Sequence, residues 1–197
     1  MKRRRPWPTP ICWSPVGLEI AFIAEDRRSI AVIDSLRKRQ RIKIAAGNTT
    51  ILSIACGDND LLATACEDHS VWLWNRKTGT LLREISMEQI PLRIAFRLGS
   101  QDLLIVGEQS RRSEIWSGLT SERRLVLDGH KSWINCQSFT NDGRRLITGS
   151  EDQTVKIWDV ESEEELVSIN DLGEPVRQVA IDRNSRRLAI SVGSDPY

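Results

Sequence analysis

The segment Val155-Lys156-Ile157-Trp158-Asp159 decides the fold, because copies of it recur along the chain. The closest copy is Val71-Trp72-Leu73-Trp74-Asn75, and weaker copies end at Asp34 and Ser117. The four copies end at residues 34, 75, 117 and 159, so the spacings are 41, 42 and 42 residues. A period of this length is typical of a repeated unit of four short strands.

Turn residues divide each unit into four predicted strands. In the fourth unit these strands span residues 133–138, 145–148, 155–158 and 165–169, with Asn141-Asp142-Gly143 marking the first turn. Runs such as Leu103-Leu104-Ile105-Val106 are apolar without alternation, which is typical of strands covered on both faces. No helical period separates the strands, so we expect an all-β fold of stacked sheets.

The order of motifs in the fourth unit resembles a WD repeat. Gly129-His130 opens the unit, Gly149-Ser150-Glu151-Asp152 precedes the third strand, and Trp158-Asp159 ends that strand. The resemblance to the WD-repeat β-propeller family covers the chain from about Ile11 and is strong in units two and four. It implies about four complete four-stranded blades plus a partial fifth.

These units organise the whole chain. We expect a basic, proline-rich tail at residues 1–10 and a propeller segment at residues 11–197. The predicted repeats are residues 11–47, 48–88, 89–128, 129–172 and a partial repeat, 173–197. Because the length corresponds to about 4.7 blades, we expect an open arc. It would be either a fragment of a longer WD-repeat protein or a partial propeller completed by other blades.

The resemblance also implies a structural hydrogen-bond network from the opening His through a hydroxyl and a turn Asp to the Trp. In the fourth unit its members are His130, Thr148, Asp152 and Trp158. In the other units the matching residues are Thr64, Asp68, Trp74 and Trp116. In the second unit, Asn48 occupies the position of the opening histidine. We therefore expect the blades to differ in stability.

The alternative to a structural network is that His130 and Asp152 form a catalytic pair, because an imidazole oriented by a carboxylate beside a hydroxyl is suited to nucleophilic chemistry. The recurrence of these positions in other units favours the structural reading. The chain has no GxSxG, HExxH or phosphate-loop motif, and its two histidines and four cysteines lack zinc-ligand spacing. We therefore predict no enzyme activity, no metal site and no cofactor, with a hydrolase as a less favoured alternative.

Partner binding is predicted at the turns between second and third strands and at the starts of first strands, where the family most often binds proteins. The candidates are Arg27, Arg28, His69, Arg111, Arg112, Lys131, Trp133 and Gln153. Arginine and tryptophan are favoured hot-spot residues, and arginine pairs suit an acidic or phosphorylated segment. For Trp133, packing under its loop is an equal alternative. We predict a non-catalytic protein–protein interaction scaffold or adaptor, and the main alternative is a truncated propeller fragment without independent activity.

Charge and hydropathy exclude other classes. The 28 Lys+Arg and 27 Asp+Glu leave a net charge of +1, which provides no broad field for nucleic acid or an anionic membrane. Nucleic-acid association therefore rests only on the basic runs at residues 2–5 and 36–41. The prolines of residues 6–10 argue against a secretory signal. We expect an intracellular protein, cytoplasmic or nuclear, whose cysteines are small buried hydrophobes and not disulfides.

Overall fold

The computed structural model describes residues 11–193, which form eighteen β-strands and no helix. The predicted all-β class is therefore confirmed. No helix in this range is long and apolar enough to cross a bilayer. The basic tail predicted at residues 1–10 lies outside the described residues.

The strands follow one another closely along the chain. In chain order they are β1 (Ile11–Trp13), β2 (Glu19–Ile23), β3 (Ser29–Asp34), β4 (Arg39–Ala45), β5 (Ile51–Cys56), β6 (Leu61–Cys66), β7 (Ser70–Asn75), β8 (Leu81–Ser86), β9 (Pro91–Phe96), β10 (Asp102–Gly107), β11 (Arg112–Ser117), β12 (Arg123–Asp128), β13 (Ile134–Phe139), β14 (Arg145–Ser150), β15 (Val155–Asp159), β16 (Glu165–Ile169), β17 (Val176–Ile181) and β18 (Leu188–Val192). The four strands predicted in the fourth unit differ from β13–β16 by at most two residues at any boundary.

Each sheet is an antiparallel meander. The first has the order β1-β2-β3-β4, and the four-strand order recurs in β5–β8, β9–β12 and β13–β16. Strands β17 and β18 form a two-stranded sheet within the described range. This arrangement confirms four four-stranded blades plus a partial fifth.

The chain divides into two compact units between Phe96 and Arg97. In the second, third and fourth blades the second strand is the most buried: every residue of β6 is buried, β10 has five buried residues of six, and Leu146 and Ile147 of β14 are at most 1% exposed. Burial on both faces explains the apolar runs without alternation within such strands, for example Leu61-Leu62-Ala63 in β6.

A buried ion pair joins the first two blades of the first unit. Arg76 follows β7, and its Nε donates to Glu19 Oε2 on β2 over 2.7 Å, with side-chain exposures of only 3% and 7%. Arg76 also donates to the carbonyl oxygens of Gly57 and Leu61, while Arg41 pairs with the other Glu19 oxygen. Sequence reasoning missed this pair because its members are 57 residues apart and follow no recognised motif.

The expectation that no cysteine forms a disulfide is wrong for two of the four. Cys12 on β1 and Cys56 on β5 form a disulfide, with their Cα atoms 5.7 Å apart. Neighbouring blades bring these two residues together across 44 positions of sequence. Cys66 and Cys136 lie outside this disulfide and are buried, as expected.

Candidate functional site

The fourth blade brings together His130, Thr148, Asp152 and Trp158, which we call the His130 network. His130 Nδ1 lies 3.0 Å from Asp152 Oδ2, and its Nε2 lies 2.7 Å from Thr148 Oγ1. Trp158 Nε1 donates to the same hydroxyl over 2.9 Å. Because an ionised Asp152 can only accept, Nδ1 carries the proton and Nε2 accepts from Thr148. The hydroxyl in turn accepts from the indole, so each of these polar groups has a partner.

Protonation states follow from burial and hydrogen bonding. Burial lowers the pKa of His130 below its usual 6.5, in spite of the opposing effect of Asp152. Burial alone would raise the pKa of Asp152, but hydrogen bonds from Thr154, the Lys131 amide and His130 together lower it below 3.8. The network therefore holds a neutral imidazole against a carboxylate at neutral pH.

The geometry of the His130 network suits a structural role. The His130 side chain has no exposed surface, and that of Asp152 is 6% exposed. A general base must come within hydrogen-bond reach of the proton it removes from a substrate. His130 instead uses both ring nitrogens inside the blade, where they connect the opening loop to β14 and the turn before β15.

The second blade holds a shorter version of this arrangement. Trp74 Nε1 donates to Thr64 Oγ1 over 3.1 Å, and Asp68 accepts from Ser70 over 2.6 Å. Asn48 makes no hydrogen bond to Thr64 or Asp68 among the described contacts. Asp68 and Thr64 are therefore not linked through an imidazole, as their counterparts in the fourth blade are.

The third blade departs further from the pattern. Trp116 Nε1 donates to Glu114 Oε2 over 2.9 Å on the same strand. Ile105, which pairs with Glu114 in the sheet register, occupies the position that corresponds to Thr148, so no hydroxyl is available there. A lone tryptophan in the repeat pattern thus does not indicate the whole network.

In the first, second and fourth blades, a hydroxyl at or next to the start of the third strand donates to the aspartate of the preceding turn, which sequence reasoning missed. Ser29 donates to Asp26, Ser70 to Asp68, and Thr154 to Asp152. The Ser29 hydroxyl and the Arg28 amide lower the pKa of Asp26 to about 2. A serine or threonine two or three residues after the turn aspartate is the signal that could have identified these partners.

In the first unit, the candidate partner-binding residues lie on successive turns. The Arg27 carbonyl accepts from the Ile51 amide at the start of β5. The carbonyl of the preceding residue, Thr50, accepts from the amide of Glu67, which is two residues before His69. Arg27 and His69 adopt left-handed backbone conformations with φ of 53° and 66°. Arg28 and His69 are exposed, whereas Arg27 is half-buried.

In the second unit, the candidate residues gather around Trp133. The Ile134 amide donates to Ser110, and the Glu151 amide donates to Trp133, which connects three neighbouring turns. Trp133 is 48% exposed, so it does not pack under its loop. We call the exposed side chains on these turns the Trp133 surface; they are Arg111, Lys131, Trp133 and Gln153. Arg112 forms an exposed ion pair with Asp128 through its Nε.

Comparison with known proteins gives two repeat matches and several partial relatives. The family model described as WD domain, G-beta repeat matches residues 40–75 and 121–159. Apoptotic protease-activating factor 1 from Danio rerio is 26% identical over 94 residues, which are 47% of this chain and 8% of that protein. Eukaryotic translation initiation factor 3 subunit I is 40% identical in Drosophila virilis and 38% in Drosophila grimshawi, each over 60 residues. Those residues are 30% of this chain and 19% and 18% of the relatives, so the chain spans less than a fifth of each matched protein.

Four-stranded blades and two matched repeats define the class. The chain contains two WD repeats within its four-stranded antiparallel blades, which is consistent with the WD-repeat family and agrees with the resemblance drawn from its motifs. WD repeats indicate a scaffold that binds other proteins and is generally non-catalytic.

Proposed function

We propose that this chain is an interaction module whose second unit binds a partner protein through the Trp133 surface. The observation that carries the proposal is Trp133 itself, a large aromatic side chain that is 48% exposed beside cationic turns. Tryptophan and arginine are enriched among residues that dominate binding energy. The other tryptophans of this unit, Trp116 and Trp158, are half-buried and buried and use their N–H groups within their own blades.

The partner segment we propose is acidic or phosphorylated. Arg111 and Lys131 are exposed and form no ion pair among the described residues, so their charges are available to an anionic group. Guanidinium groups bind carboxylates and phosphates through charge-assisted hydrogen bonds. The likeness to a subunit of a translation initiation factor supports membership in a multi-protein assembly and an intracellular location.

Affinity capture from native cells, followed by titration with the purified captured protein, tests this function. Trp133→Ala should weaken binding at least tenfold, and Arg111→Ala should weaken it while reducing its salt dependence. Phosphatase treatment of the partner separates a phosphorylated segment from an acidic one.

Leu119→Ala is the matched control. Leu119 is 58% exposed in the β11–β12 turn, away from the Trp133 surface, and its truncation should leave binding unchanged. Unaltered affinity in both Trp133→Ala and Arg111→Ala, with folding intact, would show that the proposed surface is wrong.

A further inference from the structure

The second blade contains an open cleft. Comparison of its lining residues with the equivalent residues of the fourth blade indicates what it could bind. The cleft has a volume of about 450 Å³ and is lined by Asn48, Thr49, Thr50, Glu67, Asp68 and Trp72. That volume lies within the range of small-ligand sites in proteins. Its walls combine two carboxylates, two hydroxyls, an amide and an indole ring.

The carboxylate of Asp68 has fewer partners than that of Asp152 in the fourth blade. Asp152 accepts from His130, from the Lys131 amide, and from both the amide and the hydroxyl of Thr154. Asp68 accepts from Ser70 alone among the hydrogen bonds of the described residues. Since a carboxylate can accept about four hydrogen bonds, Asp68 retains capacity for a donor brought by another molecule.

A second difference lies on the third strand. In the fourth blade, Lys156 pairs with Thr148 in the sheet register, and its Nζ donates to Glu165 over 2.6 Å. The equivalent register position in the second blade, opposite Thr64, is Trp72. Its ring meets that of Trp74 edge-on, with centroids 5.5 Å apart. An aromatic wall thus stands where the fourth blade supplies its own cation.

The surroundings of the cleft are acidic. Glu67 and Asp68 are exposed, Glu84 lies opposite Trp72 in the sheet register, and no lysine or arginine within residues 11–193 pairs with Glu67 or Asp68. Carboxylates beside an indole face attract cations through both charge and the ring quadrupole. Trp72 Nε1 is buried and has no hydrogen-bond partner among the described residues, so the indole ring, and not its N–H, is the part of Trp72 available to a ligand.

We propose that this cleft binds a lysine or arginine side chain from a basic segment of a partner protein. The site is separate from the Trp133 surface, because it belongs to the other unit and selects the opposite charge. The result for one proposed site therefore does not decide the other.

Nuclear magnetic resonance of ¹⁵N-labelled protein tests the proposal, with the Trp72 indole signal identified from Trp72→Phe. The probe is acetyl-Gly-Arg-Gly-amide, and the neutral isostere acetyl-Gly-citrulline-Gly-amide is its control. We expect saturable millimolar binding of the arginine peptide that weakens with salt, and at least tenfold weaker binding of the citrulline peptide.

Variants locate the binding site. Glu67→Gln and Asp68→Asn should each weaken binding at least threefold, whereas Glu122→Gln, an exposed acid of the second unit, should not alter it. Asn48→His should also weaken it, because an imidazole beside Asp68 would occupy the carboxylate, as His130 does with Asp152. If Asp68→Asn disturbs the fold, Glu67→Gln decides the matter. Equal responses to both peptides, or binding unchanged in Glu67→Gln, would overturn the proposal.

Discussion

Replacing Arg76 by methionine should destabilise the first unit strongly. The Arg76 side chain is 3% exposed and donates to Glu19, Gly57, Leu61 and Asp60. Methionine keeps much of the apolar stem but leaves the Glu19 carboxylate, 7% exposed, with Arg41 as its remaining charged partner. Removing one member of a buried ion pair costs about 3–5 kcal/mol. Because Arg41 still compensates part of the charge, we expect a loss of about 3 kcal/mol.

Urea unfolding followed by tryptophan fluorescence measures this loss, and a matched exposed pair calibrates it. Arg112→Met breaks the Arg112–Asp128 pair, whose side chains are 61% and 51% exposed, and should cost less than about 1 kcal/mol. The Glu19→Gln/Arg76→Met double variant should lose less than the sum of the single losses, since neither charge is then left unpaired. A cost for Arg76→Met no larger than that of Arg112→Met would refute the reasoning.

Two further predictions concern pH and redox state. Because burial lowers the pKa of His130 below 6.5, the unfolded chain binds the proton first, and stability should fall as pH drops below about 6.5. Chemical unfolding at pH 5 to 7.5 measures how the free energy of unfolding changes with pH. His130→Asn should be less stable than the wild type at pH 7.5 and should not show this change with pH. A wild-type stability that is constant over this range would contradict the prediction. The Cys12–Cys56 disulfide, which spans 44 positions, should stabilise the fold by up to about 4 kcal/mol. Unfolding with and without reductant should show that loss in the wild type and none in Cys12→Ser, and four reactive thiols in unreduced, unfolded protein would disprove the disulfide.

Much of the fold could be predicted because the repeat makes local signals reinforce one another. The Trp158 pattern recurs at nearly constant spacing, and turn residues mark the ends of each strand, so the blade strands were placed within two residues in the fourth unit. Burial on both faces leaves a signal in the sequence itself, an unbroken apolar run such as Leu103-Leu104-Ile105-Val106 in β10.

The candidate site was less predictable, because residue identity at a repeat position does not determine its partners. The same tryptophan position bonds to Thr148 in one blade and to Glu114 in another. Exposure of Trp133 was equally open, since an aromatic residue at the start of a strand can either pack or project. Sequence reasoning also assigned no role to Trp72, because the role we propose for it follows from its comparison with Lys156 at the equivalent register position.

The sequence by itself determined the all-β class and the four-stranded blades, since both depend on periodic or short-range patterns, and its resemblance to WD repeats implied the members of the His130 network. Only the tertiary structure decided that Arg76 reaches Glu19, that Cys12 meets Cys56, and that Asp68 and Trp72 line one cleft. The ion pair and the disulfide join strands of neighbouring blades, and the cleft depends on how loops and strands meet within one blade. No local pattern encodes such a meeting, because it arises from how the strands and sheets pack in three dimensions.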